Sequence, residues 1–372
     1  HRYNETHTNA VLDFRSRSPQ IKSHLPMLNT VTKTLVLLLG LLALIGGILA
    51  LGLQRGWFEL PLTELIDRYE LPESRYVDVD GVSVHYVDQG SGPPVVILHA
   101  SFLSLRSWDA VAESLTKQYR VIRLDLSGAG LTGTDPTGRY GVDRNIELAQ
   151  GVMKELGLQT VALIGTSSGG ISAFRMAARF PEQVTRLVLI NSAGMPRTAA
   201  TNPNRARSGP VDRWIQSRLR SRGFWEKGMG ANFAPPYAPS PELVQRTYDM
   251  NRRAGGREIA RLYLANFSTG DPQSMLSRVT APTLVLWGEE NRTVMHLEAD
   301  VFAYWLSAAP TMLKKYPGLG HYAYTEEPEL ISADIASFLS GQLDDQLDVP
   351  RKSKTVAGHS GTDITLPEPA TL

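Results

Sequence analysis

Thr160-Val161-Ala162-Leu163-Ile164-Gly165-Thr166-Ser167-Ser168-Gly169-Gly170 decides the fold. An apolar, strand-like run breaks into G-x-S-x-G and enters a small-residue helix over residues 171–180. Such a turn lifts a serine clear of the chain, because Gly165 and Gly169 remove the Cβ atoms that would clash there. The Ser168 N–H then points the same way, at a helix N-terminus where negative charge is favoured. A nucleophile and half of an oxyanion hole come from one tight bend.

Outward from this stretch, the chain alternates strand and helix. Residues 76–87 alternate around Asp80-Gly81, a hairpin signal. Short apolar strands are expected over 95–98, 120–126, 184–190 and 283–287, with a weaker one over 312–316. Helices are expected over 105–117 and 144–156. An opening hairpin followed by strand–helix repeats means a mostly parallel central sheet covered by helices on both faces. Ligands of such sheets bind beyond the strand C-termini, where every residue named below falls.

Residues 34–54, TLVLLLGLLALIGGILALGLQ, carry no charge. At about 1.5 Å per residue they span a hydrocarbon core of roughly 30 Å. A cleavable signal with Ala50-Leu51-Gly52 at its end competes, but its apolar region would exceed the usual length, which favours an uncleaved signal-anchor. Arg15, Arg17, Lys22 and Lys33 precede the span, against Arg55 and Arg68 after it. The expectation is a single-pass protein with a cytoplasmic N-terminus and a periplasmic or extracellular catalytic domain. Met27 reads as a natural start.

The expected organisation is a disordered polar segment 1–33, the transmembrane anchor 34–54 and a juxtamembrane linker 55–74 of helical tendency. The core follows in two parts, 75–194 and 279–342, separated by a helical cap 195–278. A polar tail 343–372 is expected to be disordered. Between residues 197 and 278 stand 14 Arg and Lys against six Asp and Glu. Two readings stay open for that charge: a solvated surface, or contact with anionic lipid headgroups or an anionic substrate. The chain of 372 residues has net charge +1 and no cysteine. Nothing global argues for nucleic acid, and disulfides, thiolate metal sites and a cysteine nucleophile are excluded. No zinc or P-loop spacing appears, so no metal or cofactor is expected.

A serine hydroxyl needs a base at neutral pH. His321, in Pro317-Gly318-Leu319-Gly320-His321 after the last strand, stands in the right chain order. His99 reads as a structural hydrogen-bonder shaping the first strand-to-helix loop. The Ser101 N–H would complete the oxyanion hole with that of Ser168. A carboxylate should follow the strand 283–287, but Gly288-Glu289-Glu290-Asn291 places an amide there.

From about residue 75 to 339 the chain resembles the α/β-hydrolase fold family, especially bacterial members with one N-terminal membrane helix. The motifs are His99 with Trp108, Asp125-Leu126-Ser127-Gly128-Ala129-Gly130, the stretch Gly165 to Gly170, and Pro181-Glu182-Gln183-Val184. Trp287-Gly288 and Gly320-His321 with Glu327-Pro328 complete them. The resemblance implies Ser167 as nucleophile, His321 as base, and Ser101 and Ser168 as oxyanion donors. The chain departs from the family at Ala100, usually glycine, and at Asn291, usually aspartate. The other position that holds the acid in some members is Asn191, also an amide. Three readings stay open: Glu290 substitutes after a one-residue shift, Asn291 orients His321 as a neutral acceptor, or the site is weakened. The expected function is a membrane-anchored serine hydrolase of a carboxylic, lipophilic ester, working through an acyl-enzyme. The expected partners are that small-molecule ester and membrane lipid. The alternative is a binding protein of the same fold that has lost its acid.

Overall fold

The computed structural model describes residues 30–195 and 220–348. Eight strands form one sheet: β1 (Ser74–Val79), β2 (Val82–Gln89), β3 (Pro94–Leu98), β4 (Arg120–Leu124), β5 (Val161–Thr166), β6 (Val184–Ile190), β7 (Thr283–Gly288) and β8 (Thr311–Tyr316). Their order is β1-β2-β4-β3-β5-β6-β7-β8. β1 and β2 pair antiparallel around Asp80-Gly81, and β2 pairs antiparallel with β4. Every later pairing is parallel. The expected fold class is therefore present, and the reason is visible in burial. β5 and β7 are buried along their whole length, as strands covered on both faces must be.

The helices in chain order are α1 (Thr30–Gln54), α2 (Leu62–Tyr69), α3 (Asp109–Leu115), α4 (Val142–Glu155) and α5 (Ser168–Arg179). Among the described residues four lie between β6 and β7: α6 (Arg222–Gly230), α7 (Pro241–Met250), α8 (Gly256–Asn266) and α9 (Pro272–Leu276). The last are α10 (Leu297–Trp305), α11 (Ala323–Glu326) and α12 (Pro328–Leu339). Two apolar clusters divide at the sheet. On one face Phe174 of α5, Ile146 of α4 and Trp287 of β7 pack together. On the other, Trp108 stacks on Tyr324 at 4.2 Å, among Val111 of α3 and Ile335 of α12.

Several expectations shift in detail. The helix expected over 105–117 divides into a 3-10 turn, Leu105–Trp108, and α3. The apolar helix begins at Thr30, inside the segment expected to be disordered, because Thr30 to Lys33 continue its backbone pattern. It is long and apolar enough to cross a membrane, and its leucines from Leu35 to Leu51 are exposed. The tail expected to be disordered from 343 is ordered as far as Asp348: Asp344 forms a twofold ion pair with Arg186, and Asp348 bridges to Thr311 at the sheet edge. Met27, the rest of the N-terminal segment, residues 196–219 of the expected cap and 349–372 of the tail lie outside the described residues.

The inserted helices spend part of their positive charge internally. Arg257 pairs with Glu59, Arg261 with Glu258 and Arg252 with Asp249. Arg253 is buried, its guanidinium donating to the Thr132 carbonyl. Burial lowers its pKa, against a partial pull upward from Tyr140 and Asp125.

Candidate active site

The bend between β5 and α5 has the geometry its sequence demands. Ser167 sits at φ 51° and ψ −123°, a strained conformation for a residue with a side chain. It is held there by its N–H donating to Ile190 O (3.2 Å) and by its carbonyl accepting from Gly170 N (3.0 Å) and Ala193 N (2.9 Å). A Cβ on Gly169 would lie 2.4 Å from Leu98 O, and one on Gly165 would lie 2.6 Å from the Ala173 Cβ. No side chain fits at either place, so the two glycines let the serine stand at the head of α5.

His321 arrives from the opposite end of the chain. Its Nε2 lies 3.1 Å from the Ser167 Oγ. The turn that carries it is braced from three directions. His321 N donates to Asn232 O (2.8 Å). The Asn191 amide donates to the carbonyls of Gly320 (3.1 Å) and His321 (3.0 Å). The buried Glu326 carboxylate accepts from Gly320 N (2.6 Å) and Ala234 N (3.1 Å). Burial raises the Glu326 pKa, and those two N–H bonds pull it back only in part. Sequence reading missed Glu326 because a single acid before Glu327-Pro328 carries no spacing signal.

At the acid position stands a buried amide. Asn291 Oδ1 accepts from Thr293 N and Val294 N, each at 3.0 Å. Both lone pairs of that oxygen are thus taken by backbone donors, which also fix which end of the amide is which. That engagement counts against Asn291 as a neutral acceptor for His321. Its Nδ2 donates instead to Asn191 Oδ1 (3.0 Å), which also accepts from Gly288 N (3.0 Å). Glu290 is exposed, and its N–H is tied to Leu319 O (2.9 Å). The backbone at 288–291 therefore needs no one-residue shift, and its turn buries Asn291 and turns Glu290 to solvent.

On the other side of the elbow, His99 acts as expected of a structural group. Its Nδ1 donates to Ala100 O (2.8 Å) and its Nε2 accepts from Leu126 N (3.0 Å). One ring nitrogen donates and the other accepts, so the ring is neutral. Burial pushes its pKa down, in keeping with that assignment. Asp125 is the hub beside it, accepting from His85 Nδ1 (2.7 Å), Leu105 N (2.8 Å) and Leu131 N (2.8 Å). These bonds tie the loop after β4 to the loop after β3, where Ser101 lies. Ser101 N is near the elbow as expected, but it is engaged: it donates to Ser168 Oγ at 2.8 Å. The Ser101 hydroxyl donates to the same oxygen at 2.7 Å. The side-chain oxygen of Ser168 thus occupies the Ser101 N–H.

Fold and site together define an α/β hydrolase. Residues 93–328 match the family described as alpha/beta hydrolase fold, and the chain belongs to it. Similar proteins include several hydrolases and a haloperoxidase. The chain is 28% identical over 280 residues to 2-hydroxy-6-oxo-6-(2'-aminophenyl)hexa-2,4-dienoic acid hydrolase of Metapseudomonas resinovorans, covering 73% of this chain and 92% of that protein. It is 28% identical to a non-heme haloperoxidase of Rhodococcus erythropolis over 269 residues, 70% of this chain and 97% of the other. Among solved structures, a membrane phospholipase A described as a bacterial virulence factor superimposes with a TM-score of 0.61 at 25% identity, covering 83% of this chain and 98% of that one.

Proposed function

We propose that the protein is a membrane-anchored serine hydrolase that cleaves a lipophilic carboxylic ester through an acyl-enzyme. One observation carries the reading: Ser167 Oγ, on its strained bend, lies 3.1 Å from His321 Nε2. At that distance the imidazole takes the serine proton as the oxygen attacks the ester carbonyl, then returns it to the leaving alcohol. Water repeats the sequence on the acyl-enzyme. The N–H groups of Ser101 and Ser168 hold the oxyanion once the Ser168 hydroxyl yields its place. The apolar helix α1 and the membrane phospholipase neighbour support a lipid-soluble substrate and a single-pass anchor, with the basic N-terminal residues on the cytoplasmic side.

The full chain in detergent, treated with a fluorophosphonate probe, tests this directly. Stoichiometric labelling is expected, abolished by Ser167→Ala, with ester turnover falling about 10⁴- to 10⁶-fold in that variant. Absence of labelling in the wild type favours the second reading, a binding protein. The two amides Asn191 and Asn291 at the acid positions are the observation that keeps it in play.

A further inference from the structure

The loop that carries Ser101 holds a strained residue of its own. Ala100 O accepts from Leu103 N (3.3 Å), closing a turn over residues 100–103. Phe102, its third residue, has φ 68°. A type II turn requires a positive φ at that place and takes glycine or asparagine for it, whereas a bulky aromatic there is strained. Such a conformation persists only where the surroundings over-determine it. Two contacts from the inserted helices do so. Asn251, the residue that ends α7, donates its side-chain amide to Phe102 O and to Thr247 O, each at 2.8 Å. Both protons of one Nδ2 are thereby spent, which fixes the amide and aims it at the loop. The Phe102 ring lies against Trp225 of α6, 5.6 Å away between centroids. Asn251 is itself held. Leu60 N donates to Arg252 O and Ala254 N to Leu60 O, each at 2.8 Å, and the buried Asp249 accepts from the Tyr69 hydroxyl at 2.7 Å.

We propose that Asn251 is a positioning residue for the hydrolysis: its amide keeps Phe102 left-handed and so keeps the Ser101 N–H over Ser168 at the head of α5. Without that amide Phe102 relaxes to a negative φ, the peptide between Ser101 and Phe102 rotates, and the loop shifts under Ser101. A displaced N–H costs most where negative charge develops on the carbonyl oxygen, so the loss falls on the transition state rather than on the bound ester. This rests on the acyl-enzyme reading above.

Asn251→Ala in the full chain in detergent tests it. With a p-nitrophenyl ester, kcat is expected to fall about 10- to 100-fold, with KM within about threefold of the wild type. Affinity for a phenylboronic acid, whose tetrahedral adduct mimics the oxyanion, is expected to fall in step. A second background separates positioning from general loosening. Glycine holds a positive φ without strain, so in Phe102→Gly the same Asn251→Ala change should cost less than about threefold in kcat. A kcat within about threefold of wild type in the first variant, a rise in KM alone, or an equal loss in both backgrounds overturns the proposal. The two failures are distinguishable: a wild type that fluorophosphonate does not label refutes the acyl-enzyme and this role together. A labelled wild type with an indifferent Asn251→Ala refutes the positioning role only.

Discussion

Two brackets hold the loops on either side of the Ser167 bend, and they differ in charge. Beside the loop after β3, a buried carboxylate, Asp125, gathers His85 and two backbone donors. Beside the turn after β7, two amides, Asn191 and Asn291, do the equivalent joining with neutral groups. Each bracket satisfies its buried backbone groups, so each holds its loop. Only the second lies where a charge would stabilise an imidazolium. The difference teaches that positioning His321 and stabilising its protonated form are separable tasks. The amides meet the first, because hydrogen-bond geometry needs no net charge. The second depends on a nearby anion, which an amide does not supply.

That contrast can be broken most severely on the charged side. Asp125→Ala removes an acceptor from three buried donors and should cost about 3–5 kcal/mol of stability, read from denaturant unfolding. An unchanged midpoint would mean that Asp125 is not the hub described. On the neutral side, Asn291→Asp sharpens the comparison. A carboxylate oxygen in place of Nδ2 would face Asn191 Oδ1, acceptor against acceptor, at the present 3.0 Å spacing. Stability should fall by about 1–3 kcal/mol. Ester turnover should rise by about tenfold or more, because the imidazolium gains an anion. Glu290→Gln should leave turnover within about twofold of wild type, since that side chain faces solvent. Loss of activity in Glu290→Gln would restore Glu290 as the acid.

The smallest expected effect is on pH. The His99 ring is held below its ordinary pKa by burial, so on acidification the unfolded chain takes up that proton first. Stability is whole above about pH 6.5 and declines below it, toward the native pKa. Burial pushes the Asp125 carboxyl up, but the hydrogen bonds it accepts from His85 and the Leu105 N–H outweigh it and hold the pKa low. Its contribution is present above about pH 3.9 and is lost as the pH falls through the native value. Thermal melts from pH 7 to 5 should show the first decline, and His99→Asn, which can still donate and accept, should flatten it.

The elbow and the sheet were legible in sequence because both are local. Gly165 and Gly169 announce a bend that no side chain permits, and the strand 184–190 is bounded by its own apolar run. The order of Ser167 and His321 along the chain also pointed to their pairing. The partners of Asn291 were not legible. An amide at that position reads as a defect until Asn191, 100 residues earlier, is seen to accept its N–H.

What the chain alone determined was therefore periodicity and steric permission: which runs are buried strands, and where glycine must stand. Those properties are decided by near neighbours along the backbone. The tertiary structure alone decided which donors are spent on which acceptors. Saturating a buried oxygen depends on groups brought together from β6, β7 and the inserted helices, and no single segment contains them.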